Sequence, residues 1–330
     1  MNYGTQTIPV PDWGQLPVEQ YLIRYWNHSS SESVDEQRQR LVHQYMQLEQ
    51  IPKEWDPTCF GMELSKKPER TPTAEEIALI LRPWRSDDLR TRAWEIWCGR
   101  DSGPPVMLRT YYSNSNAEKE RDDVKFIEYT TISENFEDVA SWTALNDATL
   151  FNFGSDWRQI FSILPEVAGC RETYTRGPYQ ETLDLYLPNV KGSIEDAKAA
   201  NPQWETNVDL LLEEGKNPIR SILSAASLSW LFIVDEHTFE TDELLVVYID
   251  MNQDVTIQGR LEVDQGDIDY MMLSREFGSP RGMVIDEGTV RDKYLLSNDF
   301  GRKFFGLESD TSPFQVIFPV QARQSHRTRA

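Results

Sequence analysis

A chain of 330 residues with 39% hydrophobic and 26% charged residues can bury one large core or two modest ones, and it belongs among globular rather than disordered sequences. Its formal charge is −21, from 33 Lys and Arg against 54 Asp and Glu, so the summed field repels a phosphate backbone and an anionic bilayer. Nucleic acid and membrane surfaces are therefore excluded as expected partners.

The first hundred residues read as helices separated by proline. Val18, Tyr21, Leu22 and Tyr25 share one face of a short helix after Pro17. Ser33 and Glu36 form a capping box ahead of the stripe Leu41, Tyr45, Leu48, which Ile51-Pro52 stops. Thr73 and Glu76 repeat the arrangement before Ile77, Ile80 and Leu81, with Pro83 closing the segment. A fourth helix is expected from Ser86, carrying Leu89, Ala93, Ile96 and Trp97 and ending at Gly99. Turn chemistry throughout Asp101-Ser-Gly-Pro-Pro105 then suggests a boundary.

Beyond that point strands and helices mix. Val106 to Tyr112 and Val124 to Thr131 read as strands around a polar excursion, Asn135 to Leu145 as a helix, and Asp156 to Leu164 as a short helix ended by Pro165. Thr182 to Leu187 alternates like a strand, while Ile194 to Ala200 and Trp204 to Glu214 read as helices. Leu228 to Val234 and Leu244 to Ile249 are continuous apolar runs of the kind buried on both faces, so they are the expected central strands. Val255, Ile257, Leu261 and Val263 alternate with polar residues, and the turn Met251-Asn-Gln-Asp254 makes that strand a hairpin partner of the one before. Helices over Ile268 to Phe277 and Val290 to Phe305 and a strand over Phe314 to Phe318 complete the reading.

The expected fold class is α+β, a central mixed sheet with flanking helices and a helical N-terminal region. Its expected parts are a helical region over 1–100, a mixed α/β domain over 101–320 and a flexible basic tail over 321–330, which carries Arg323, His326, Arg327 and Arg329. Cys59, Cys98 and Cys170 fit neither a disulfide framework nor a CxxC pair, which suits free thiols in a reducing compartment. The opening residues lack the basic region and apolar core of a secretory signal, so a cytoplasmic or nuclear location is expected. The nearly uncharged stretch Ser221 to Val234 is too short to span a bilayer, and it runs into Asp235-Glu236.

Candidate chemistry is sparse. Asp250, Asn252, Asp254, Thr256 and Gln258 alternate like a calcium loop, but Val255 stands where glycine is needed and Leu261 where a bidentate glutamate is needed, so a polar hairpin turn is the better reading. Asp235, Glu236 and His237 end one central strand and Asp250 the next. Parallel strands would bring these four to a common rim, where a divalent cation or acid/base chemistry could follow. The short connection between the strands argues against parallel pairing, and antiparallel strands would separate the groups. No GxSxG elbow, GxxxxGK[ST] loop, GxGxxG turn or zinc spacing is present, and Cys170 beside Arg171 has no further support. Trp84, Trp94, Trp97, Tyr111 and Tyr112 could form an aromatic platform for a peptide or sugar, although aromatics at helical spacing more often fill a core.

The runs Val106-Met-Leu-Arg-Thr110, Trp230-Leu-Phe-Ile-Val-Asp235 and Leu244-Leu-Val-Val-Tyr-Ile-Asp250 resemble the core pattern of an uncharacterised domain of bacterial and fungal proteins. The resemblance implies an α/β core and brings no catalytic residues with it. Together these readings favour a non-enzymatic protein-interaction module without a cofactor or metal, with a protein partner, most suitably a basic one. The alternative is a metal-assisted or acid/base hydrolase using Asp235, Glu236, His237 and Asp250.

Overall fold

The structure is a computed structural model of the chain, and it describes residues 10–48, 51–55, 70–98, 106–131, 142–168, 229–250, 253–263, 289–295 and 297–304, with scattered positions between 188 and 227. The boundary expected over 101–105, the strands over 182–187 and 314–318 and the helix over 268–277 lie outside the described residues. The fold is α+β with a mixed sheet. The chain divides into two compact units. Residues 1–174 and Val234–Glu236 form the first, and 175–233 with 237–330 form the second.

The first unit begins with helices whose starts are written in the sequence. Helix α1, Pro17–Tyr25, opens on Pro17, whose missing N–H is no loss in a first turn. Helix α2, Val34–Met46, has both halves of its capping box: the Glu36 N–H donates to Ser33 Oγ at 3.3 Å and the Ser33 N–H to Glu36 Oε2 at 2.9 Å. The Ser33 N–H and the Ser33 hydroxyl, both donating to Glu36 Oε2, hold that carboxyl below its ordinary range. Thr73 and Glu76 reproduce the box ahead of α3, Ala74–Glu76, which continues as a wider turn over Ile77–Leu81 where the Arg82 N–H reaches Ile77 O. Helix α4 spans Asp87–Cys98. Leu22, Leu41, Ile80, Ala93 and Trp97 from these helices are almost wholly buried.

Two expectations in this unit are overturned. Val124 to Thr131 is not a strand but the second half of α5, Asn116–Thr131. The helix period wins because Asp122, Phe126 and Tyr129 recur at four- and three-residue spacing on the buried side, and Ser115 caps the start. The end of the expected helix over 135–145 is instead β2, Thr143–Leu145, which pairs in parallel with β1, Val106–Arg109. Short helices α6, Ala148–Phe151, and α7, Ile160–Ile163, follow, and Thr110 donates its N–H to Val234 O at 2.9 Å.

Four buried arginines knit this unit together. Arg85 makes two parallel 2.8 Å bonds to Glu166, with both side chains only 1% exposed, while its Nε donates to Ile163 O and its guanidinium lies 3.7 Å from the Trp84 ring centre. Arg90 donates to Glu19 Oε1 at 2.7 Å and to Asp12 O, stacked 3.6 Å over Trp13. Glu19 also accepts from the Gly14 N–H at 2.7 Å. Gly14 has φ +87°, and a Cβ there would sit 2.6 Å from Pro72 Cδ, so the close approach requires glycine. Arg38 donates to Ile80 O, and Arg109 to Tyr111 O and to Asp123 at 2.5 Å. A carboxylate or carbonyl partner is what makes burial of each guanidinium tolerable.

The second unit is organised by antiparallel pairing. Strand β3, Ser229–Val234, and strand β4, Glu243–Ile249, are joined through the short helix α8, Glu236–Thr241, and pair with Ser229 opposite Ile249 and Ile233 opposite Leu245. Leu231, Phe232, Val246, Val247 and Tyr248 are fully buried, as the continuous apolar runs require. Strand β5, Val255–Glu262, forms the expected hairpin with β4, with a register shift at Tyr248/Ile249 that turns Thr256 into the interior. There its hydroxyl meets Ser227 Oγ at 2.6 Å. The expected helix from Val290 to Phe305 is shortened: β6, Thr289–Val290, pairs with β5, a tight turn covers Asp292–Tyr294, and only α9, Asp299–Phe304, is helical at the end.

Candidate functional site

Antiparallel pairing decides the fate of the carboxylate rim. The ends of β3 and β4 that carry Asp235 and Asp250 point to opposite ends of the strand pair. Parallel neighbours, which a shared rim of Asp235, Glu236, His237 and Asp250 requires, are not what these strands are. Glu236 and His237 start α8 and are exposed, with His237 Nε2 3.2 Å from Glu243 Oε2.

Asp250 has a different set of partners within the second unit. It is 1% exposed and accepts from Tyr294 Oη at 2.6 Å, Lys293 Nζ at 2.7 Å and the Asp254 N–H at 3.0 Å. Lys293 bridges to Asp254 Oδ2 at 2.6 Å. The turn positions these groups: the Asp250 N–H donates to Asp254 O, and Gln253 takes a left-handed φ of +63°. Burial disfavours charge on Lys293, but Asp250 and Asp254 outweigh it and hold its pKa above the ordinary value. Burial, then the Asp250 charge, drives the Tyr294 hydroxyl well above its own. The lysine is thus held protonated and the tyrosine neutral, and the carboxylate's lone pairs are engaged by three donors. Such a cluster ties the Asp292–Tyr294 turn to the β4–β5 hairpin.

The aromatic platform likewise resolves into packing. Trp94, Trp97 and Tyr112 are buried. Trp84 is half-buried, covered by the Arg85 guanidinium, with its indole N–H on Ser162 O at 3.2 Å, and Tyr111 is half-buried. Tyr112 stacks against Arg109 at 4.4 Å, and burial raises its hydroxyl pKa. Among the described residues no group of three or more His, Cys, Asp or Glu side chains could hold a metal ion, and no helix is long and apolar enough to cross a membrane.

What the sequence reading missed is the outer face of α5. Val124 and Ile127 are 56% and 60% exposed, the two most exposed large hydrophobic residues among those described. They lie one turn apart, with Glu120 one turn before Val124 and Glu128 one turn after it, both exposed. The inner side is fixed by Phe126 and Tyr129 and by Asp122, which accepts from Ser113 Oγ at 2.7 Å. Helical spacing of Asp122, Phe126 and Tyr129 was the signal that could have found it. The first unit is strongly acidic: among its described residues fourteen Asp and Glu side chains are exposed against five Lys and Arg, so the surface field is negative.

No protein-family model, curated protein or solved structure matches this chain.

Proposed function

We propose that this chain is a non-enzymatic protein-interaction module whose partners are positively charged. The observation that carries this reading is the distribution of charge in the first unit, where Arg38, Arg85, Arg90 and Arg109 are buried and the exposed surface keeps fourteen acids against five bases among the described residues. A surface of one sign attracts an oppositely charged partner over about a Debye length, raising its association rate and suppressing like-charged competitors. The groups from which a catalytic site was expected support the reading as well, because Asp250 is engaged by Tyr294 and Lys293 and stands at the end of the β3–β4 pair away from Asp235.

The test is affinity purification with the full chain at low and high salt, each recovered protein then purified and titrated alone. A stoichiometric partner of net positive charge, whose affinity falls as salt rises, is the expected result. A thermal-shift screen against divalent metals runs beside it. A metal-dependent rise in Tm that vanishes in Asp235→Asn, or a reproducible partner that is acidic and salt-insensitive, overturns the proposal.

A further inference from the structure

Building on that reading, we infer that the outer face of α5 is a docking surface for a basic amphipathic helix of a partner protein. The face runs Glu120, Val124, Ile127, Glu128, Thr131, an acidic group at each side of an apolar pair. Helix stability does not account for the pair. β-Branched residues lose side-chain freedom in a helix, and at a solvent position Ala, Glu or Lys is the better helix former. Single exposed hydrophobic residues are ordinary, but Val124 and Ile127 sit together, whereas the other large exposed ones among the described residues, Val10, Tyr25 and Val34, belong to separate segments.

Charge selects the occupant. Neither Glu120 nor Glu128 makes an ion pair with a described residue, whereas Asp122 and Asp123 at the inner edge are engaged by Arg121 and Arg109. A second copy laid antiparallel on the same face would bring Glu120 and Glu128 against like charges, and an anionic bilayer would meet the same repulsion. A helix with apolar residues at three- and four-residue spacing, flanked by Lys or Arg, satisfies both the apolar pair and the glutamates. The apolar stripe is short, so the contact belongs to the weak, rapidly exchanging class.

The probe is a synthetic helical peptide with a Leu stripe flanked by Lys, compared with the same peptide flanked by Glu, titrated into the full chain by fluorescence anisotropy. The Lys-flanked peptide is expected to bind, Val124→Ser/Ile127→Ser to weaken it about tenfold or more, and Glu120→Lys/Glu128→Lys to transfer preference to the Glu-flanked peptide. Glu75→Gln/Asp88→Asn, which removes two exposed acids elsewhere, is expected to leave affinity within about twofold. Circular dichroism confirms that each variant is folded. If wild type and Val124→Ser/Ile127→Ser bind the Lys-flanked peptide equally, the α5 assignment falls while attraction to basic partners stands. If wild type does not bind it at low salt, both fall. Concentration-dependent dimerisation abolished by Val124→Ser/Ile127→Ser would overturn the assignment in favour of a second copy.

Discussion

The two units reach stability by different means. In the first, helices from distant parts of the chain are positioned by directional polar groups, with Arg85 locked to Glu166 and Arg90 to Glu19 across 81 and 71 residues. In the second, strand pairing and continuous apolar runs do most of the work among the described residues, and the buried carboxylate of Asp250 fastens a turn to the hairpin. A buried ion pair specifies geometry but tolerates the loss of one partner poorly, because an uncompensated charge remains. An apolar sheet core yields more gradually, according to the volume removed.

The sharpest way to break this contrast is to orphan one buried arginine. Glu166→Ala is expected to cost about 3 to 5 kcal/mol in urea denaturation followed by Trp fluorescence, and Arg85→Met/Glu166→Leu to recover most of it. A double variant as unstable as Glu166→Ala would show that the pair itself contributes the net stability. In the second unit, Val246→Ala removes two methyl groups from a fully buried position, and about 2 kcal/mol is expected from the same assay.

Asp250→Asn should cost about 1.5 to 3 kcal/mol near neutral pH, the range of a hydrogen bond to a charged group. It should also change the alkaline limb. Lys293 and Tyr294 both have folded-state pKa values above their ordinary 10.5 and 10.0, so their contribution is complete below those values and is lost as pH rises through the folded ones. Wild-type stability is therefore expected to decline above about pH 10, and the decline in Asp250→Asn to be shallower, as read from denaturation midpoints between pH 8 and 11. The smallest effect is a cap: Thr73→Ala should cost about 1 kcal/mol by removing the acceptor for the Glu76 N–H.

Legibility followed the range of the interactions. The capping boxes at Ser33 and Thr73, the β4–β5 hairpin and both central strands were readable because each is set by residues within a few positions of one another. Helix α5 was misread because Val124 and Phe126 mimic strand alternation, whereas the governing period is the four- and three-residue spacing of Asp122, Phe126 and Tyr129. The candidate site suffered in the same way. Asp250 was read as a carboxylate at the end of a central strand, but its partners Lys293 and Tyr294 lie more than forty residues away in a segment read as helix.

By itself the sequence determined the acidic field, the helices at 17–25, 34–46, 74–76 and 87–98 and the greasy strands at 229–234 and 243–249, because charge, capping and local hydrophobic period need no distant partner. Only the tertiary structure decided that those strands run antiparallel, which arginines are buried and against which carboxylates, and that Val124 and Ile127 face outward. Strand direction and burial are settled by contacts between residues far apart in the chain, and local pattern carries no record of which of several chemically equivalent partners will be met.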